Sequence, residues 1–236
     1  SQKGCGVLKI VYQQGADIER ESMRIIDEEL CRRGVCLPLE QEAVIKRVIH
    51  ATADFDYVQT LSFTEHAAVR ARAAFAAGVS LITDTNMALS GLSRPALRKL
   101  GMEALCYMAD PAVAAEAKER CLTRAAVSME RAAREYPGAA VAVGNAPTAL
   151  LALCEQIASG FRPALVVAVP VGFVNVVESK DRILRLCREQ EIPCIAALGR
   201  KGGSTVAAAI CNALLYQAAG ALDPVGRAAA LEEKRR

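Results

Sequence analysis

Two histidines occur in this chain of 236 residues, His50 and His66. Imidazole is the side chain whose ordinary pKa lets it give and take protons near neutrality. His50 closes the run EAVIKRVIH, in which Val44, Ile45, Val48 and Ile49 fall on one face of a helix. A helix end of this polarity favours a cation, and Arg47 lies one turn back on the same side. That placement suits a proton donor. The competing reading is an ordinary surface or core histidine. His66, in TEHAAVRAR, falls among surface positions of the next helix, and there the structural reading prevails.

Four further segments combine glycine, Asn, Thr or Pro just before a helix begins: TDTNM (83–87), VGNAPT (143–148), VPVGFVNVVESK (169–180) and LGRKGGST (198–205). Backbone N–H groups at helix starts favour anions, and Lys180, Arg200 and Lys201 add full positive charges. Each segment alone can be an ordinary turn and cap. Four on one edge of a sheet would form a wide cleft for an anionic small molecule.

Standard chemistries are absent from this set. GRKGGST carries its Lys before the paired glycines, the reverse of a phosphate-gripping loop. No GxGxxG follows an early strand, and no acid is spaced to hold a ribose. There is no Ser–His–Asp order and no HExxH, and two histidines are too few for a protein-built metal site.

The elements that must position these residues alternate. ADIERESMRIIDEELCRRG reads as a helix, with Asp17 as cap and Gly34 as terminator. Residues 40–50 form the helix that delivers His50. Strand-like runs follow at VQTLSF (58–63), VSLITD (79–84), ALCYMA (104–109), AAVAVG (139–144), PALVVAVPVG (163–172) and IPCIAALG (192–199). Helical runs separate them, with Ser93 and Asp110 as caps and Pro95 and Pro111 in first turns. Strand, polar loop and helix repeated in this way predict a three-layer α/β/α fold. It should have a mostly parallel sheet, helices on both faces and a single domain over 1–236. Ligands of such sheets bind beyond the carboxyl ends of the strands, where the four loops lie. The tail, residues 221–236, is expected to be loosely packed. The head, SQKGCG, opens without Met, which leaves a processed, trimmed or cut chain as alternatives.

Composition sets outer bounds. Hydrophobic residues make up 53% and charged ones 23%, enough for a substantial core. Aromatics are 4%, a usage that suits buried parallel strands better than an antiparallel sandwich. Net charge is +3 from 29 basic and 26 acidic residues, so nucleic acid is not an expected partner. The longest apolar stretch, ALVVAVPVGFVNVV, is too short and broken to span a bilayer. Nine scattered cysteines with no CxxC pair, and no signal peptide, predict reduced thiols and a cytoplasmic location.

Together, IERESMRII (18–26), RVIHATADFD (47–56), LITDTNM (81–87), VGNAPTAL (143–150), VPVGFVNVVESK (169–180) and LGRKGGSTVAAAICNALL (198–215) resemble the precorrin-8X methylmutase family of cobalamin biosynthesis. The resemblance runs from about residue 15 to about residue 220. It implies an isomerase moving a methyl group from C-11 to C-12 of the tetrapyrrole, giving hydrogenobyrinic acid or its cobalt counterpart. It also implies no separate cofactor and a homodimer with active sites near the interface. The family's catalytic histidine falls on His50, which would protonate a ring nitrogen and ease a 1,5-sigmatropic shift. Ser22 and Arg47 would contact substrate. Thr85, Asn86, Asn145, Ser179, Lys180, Arg200, Lys201 and Ser204 would meet its carboxylates or ring. Ala53 stands where many relatives have Gly. A non-catalytic tetrapyrrole carrier is the alternative, separable by turnover rather than by binding.

Overall fold

The computed structural model describes residues 15–220; the head SQKGCG and the tail at 221–236 lie outside the described residues. In chain order the elements are α1 (Gly15–Arg32), α2 (Glu42–Thr52), α3 (Tyr57–Thr60), β1 (Leu61–Phe63), α4 (Ala67–Ala76), β2 (Leu81–Thr83), α5 (Asn86–Ser90), α6 (Arg94–Leu100) and β3 (Ala104–Leu105). A 3₁₀ turn at Tyr107–Ala109 leads to α7 (Pro111–Glu119), α8 (Arg124–Glu135), β4 (Ala140–Val143), α9 (Pro147–Ala158), β5 (Leu165–Ala168), α10 (Val176–Glu189), β6 (Cys194–Ala197) and α11 (Ser204–Ala218).

The strands form one sheet in the order β1-β6-β5-β4-β2-β3. Its neighbours run parallel except at the β1 edge, which is antiparallel to β6 with Leu61 opposite Ala197. Alternate side chains along each strand enter opposite cores, as strand geometry requires. Leu81, Ala140, Ala142, Leu165, Val167, Ile195 and Ala197 face α1, α2, α4, α6 and α11. Ile82, Val141, Val143, Val166, Ala168, Cys194 and Ala196 face α8, α9 and α10. Both faces are covered, which is why these strands read as continuous apolar runs. The expected three-layer α/β/α arrangement and mostly parallel sheet are present.

Local chemistry sets many boundaries. The Ser93, Asp110 and Thr123 side chains accept N–H bonds from Ala96, Ala112 and Ala126, capping α6, α7 and α8. Gly34 takes φ +66° just past α1, and its N–H donates to the Cys31 carbonyl. Asp17 does not cap α1, because that helix already includes Gly15. It lies in the first turn and accepts a 3.2 Å bond from Arg20.

Every expected strand is shorter in the structure, PALVVAVPVG pairing only over Leu165–Ala168, and two of them give way to turns. VQTLSF opens as a helical turn, α3, and pairs only over Leu61–Phe63. The β-branched Val58 and Thr60 favour a strand locally, but burial of Tyr57 and a Leu198 N–H bond to the Thr60 carbonyl hold a turn there. ALCYMA pairs only over Ala104–Leu105 before the 3₁₀ turn. α2 carries Val44, Ile45, Val48 and Ile49 into the core against α11. α11 is rich in Ala and fills the centre of that layer, touching α2, α4, α5, β4 and β5.

Candidate active site

Three of the glycine and polar loops meet at the carboxyl edge of the sheet, and buried carboxylate and backbone contacts join them. Asp84 follows β2 and is 1% exposed. Its Oδ1 accepts the N–H of Gly144, and its Oδ2 accepts those of Asn145 and Ala146, all at 2.8 Å. Burial pushes its carboxyl upward, while the three N–H groups pull the other way. Thr85 caps α5 by accepting from Ala88, and its Oγ1 lies 2.7 Å from Ser204 Oγ at the start of α11. Gly144 makes this approach possible: a Cβ there would stand 2.7 Å from Ser204 Cα. Thr85, Asn145 and Ser204 are therefore neighbours, with the Asn145 side chain exposed and Asn86 exposed at the first turn of α5.

The GRKGG loop lies across the end of β5. A Cβ on Gly202 would stand 2.1 Å from the Val169 carbonyl oxygen, and the Gly203 N–H donates to that same oxygen at 2.8 Å. Lys180 reaches the loop from below. It is fully buried, and its Nζ donates to the carbonyls of Gly199 and Lys201, both at 2.8 Å. Burial lowers its pKa from 10.5 to about 8. Ser179, also fully buried, donates its hydroxyl to the Val176 carbonyl. The polar atoms of Ser179 and Lys180 thus bond within the chain.

His50 is half-buried in the last turn of α2. The chain after it turns at Ala53, whose φ is +54° and whose N–H donates to the Ile49 carbonyl. Asp54 and Asp56 follow, and each carboxylate meets Lys201 Nζ at 2.6 Å. The Lys201 ammonium beside Asp54 holds that carboxyl below its ordinary range. The α2 end that bears His50 is in this way tied to the loop that bears Arg200. The Arg200 guanidinium lies 5.4 Å from the Phe173 ring centroid. Phe173, Val174 and Met87 are 80%, 77% and 70% exposed, giving the same edge an apolar face beside its charges.

Ser22 and Arg47 form a separate group at the contact of α1 with α2. Ser22 donates to the Ile18 carbonyl, and Arg47 pairs with Glu19 at 2.6 Å while lying 5.5 Å from the Tyr216 ring centroid. His66 lies elsewhere, paired with Glu40 on the rim of a cleft of about 540 Å³ at the amino edge, with Arg70 and Arg188. Sequence patterns overlooked Asp84, Asp54, Asp56 and Phe173 as parts of this edge. All four stand inside motifs that were singled out, but no spacing rule distinguishes a loop-tying acid from a solvated one. Among the described residues, no group of three His, Cys, Asp or Glu side chains could hold a metal ion. No helix among them is long and apolar enough to cross a membrane.

This edge carries the His50 end of α2, the Arg200 guanidinium, the Thr85 and Ser204 hydroxyls and an exposed apolar face. It suits an anion-fringed, largely apolar ligand. Comparison with known proteins gives the family. The precorrin-8X methylmutase family profile matches residues 17–217. The cobalt-precorrin-8 methylmutase of Leptospira interrogans is 41% identical over 88% of this chain and 96% of its own. That of Salmonella typhimurium is 43% identical over 86% of this chain and 96% of its own. A crystal structure of the precorrin-8X methylmutase from Thermus thermophilus superposes with a TM-score of 0.77, at 41% identity over 87% of this chain and 99% of that one.

Proposed function

The chain belongs to the precorrin-8X methylmutase family, isomerases that shift a methyl group on a corrinoid precursor, and we propose that His50 is the acid that drives the shift in it. The observation that carries this assignment is the tie from the His50 end of α2, through Asp54 and Asp56, to Lys201 in the loop of Arg200. It holds the end of α2 that bears His50 against the loop of Arg200, whose guanidinium, with the Thr85 and Ser204 hydroxyls, is at hand for an acidic fringe.

An intramolecular shift needs neither nucleophile nor redox partner. It needs a rigid grip and one well-placed proton. His50 donates its proton to a ring nitrogen, that of ring C. The conjugated system becomes electron-poor, and the methyl group moves from C-11 to C-12 in a 1,5-sigmatropic step. The nitrogen then returns its proton to the imidazole, so substrate and product are isomers and the enzyme is unchanged. Thr85, Asn86, Asn145, Arg200 and Ser204 are assigned to the substrate's carboxylates and ring, and Ser22 and Arg47 to its outer contacts. Ser179 and Lys180, whose polar atoms are buried, serve by shaping the loops. Phe173 and Val174 supply an apolar platform for the macrocycle.

The working unit is taken to be a homodimer in the cytoplasm, and light scattering on the purified chain checks the first point. The whole chain 1–236 is taken as one domain. His50→Ala tests the acid directly. Its turnover should fall by about 10²–10⁴-fold, with product binding retained. Undiminished turnover overturns the assignment. Relative rates on metal-free and cobalt-containing substrate identify the natural form, since the relatives above carry both names.

A further inference from the structure

Lys201 has the charge and position of a substrate ligand, yet its ammonium is already engaged. Its Nζ lies 2.6 Å from Asp54 Oδ2 and 2.6 Å from Asp56 Oδ2, two carboxylates from a segment 145 to 147 residues away in sequence. Those acids are themselves pre-set. Thr52 Oγ1 accepts the Asp54 N–H at 3.3 Å, and Asp54 Oδ1 accepts the Asp56 N–H at 2.9 Å. The other side of the same loop is fixed from within, since the Lys201 and Gly199 carbonyls both accept from the buried Lys180 ammonium. One loop is thus held between two lysines, one bonding to its carbonyls from the core and the other reaching outward to the turn after His50.

We propose that Lys201 is a positioning residue that sets the distance between His50 and the substrate-gripping loop, rather than a ligand of the substrate. The inference rests on the reading of His50 as the proton donor. Lys201 is 49% exposed and Asp56 68%, so water screens the pairing and its contribution to stability is small. Geometry is the larger effect. Proton transfer demands close approach, and a displacement of about 1 Å can cost about a hundredfold in rate.

The test compares Lys201→Met, Lys201→Arg and the double variant Asp54→Asn/Asp56→Asn, all in the full chain. A positioning role predicts that Lys201→Met and the aspartate pair each lose about 10–100-fold in kcat. The dissociation constant for hydrogenobyrinic acid, read by its absorbance, should stay within about threefold of the parent. Combining both sets should cost little more than either alone, because they break the same tie. Lys201→Arg, which can bridge the same two carboxylates, should recover most of the rate. Amide exchange over residues 53–57 should quicken in Lys201→Met, a readout that needs no catalysis. A dissociation constant that rises more than about tenfold in Lys201→Met, with the aspartate variant unaffected, would make Lys201 a ligand and overturn the proposal. Unchanged kcat in all variants overturns it too. Failure of the acid assignment is read separately, from His50→Ala, and leaves the exchange result standing.

Discussion

At the residue scale, Lys201 bridges Asp54 and Asp56 and so ties the turn after His50 to the loop of Arg200. His50 was conspicuous because an apolar helical stripe ends on a rare titratable ring. The tie that holds its helix end was not, because it is a contact between residues 54–56 and 201. Sequence spacing carries no sign of that pairing. Ala53 shows the opposite case, in which a residue plain in sequence takes a conformation that favours glycine. Its φ of +54° lies in the left-handed region, where a Cβ is penalised and glycine is not. Ala53→Gly relieves that strain by about 1–2 kcal/mol, offset by about 0.4–1 kcal/mol from the freer unfolded chain. Denaturant unfolding should therefore show a net gain of up to about 1.5 kcal/mol. A loss would mean that the turn after His50 depends on the alanine methyl group.

Elements were legible where their periodicity was strong and unbroken. α2, α8 to α11 and the strands β4, β5 and β6 stand where apolar runs and caps placed them. Losses came at the borders of the sheet, in VQTLSF and ALCYMA, where short β-prone runs yield to turns that tertiary contacts impose. The short α5 also escaped, because TDTNM reads as a loop and nothing but the Thr85 cap marks a helix start there. The junction of β4 with α11 offers a test at this scale. Gly144→Ala forces a methyl group to within 2.7 Å of Ser204 Cα. Overpacking of this kind costs about 1–3 kcal/mol and should part Thr85 from Ser204. Reduced thermal stability together with weaker product binding is the expected result. Wild-type behaviour in both would show that the loops have slack.

For the molecule as a whole, the buried ammonium of Lys180 links folding to pH. Its pKa of about 8 in the fold lies below the ordinary 10.5, so the unfolded chain holds the proton more tightly. Below pH 8 both states are charged and the fold bears the full desolvation cost. Between about 8 and 10.5 the unfolded state binds more protons, and stability attributable to Lys180 rises with pH. A shift of this size corresponds to a rise on the order of 1–3 kcal/mol. The stability of the parent minus that of Lys180→Met, followed by denaturant across this window, should climb by that amount. A flat difference would mean that the ammonium is hydrated. The reversed border strand β1 has a consequence of its own. Because it runs against β6, the peptide between Thr52 and Leu61 starts and finishes at the same rim, and its length works as a gauge for the imidazole. Removing one residue from that span could not be absorbed by sliding the strand, since a single step would turn its core side chains outward. Tolerance to insertion or deletion should therefore be lowest in a stretch that, drawn on paper, is merely a connection.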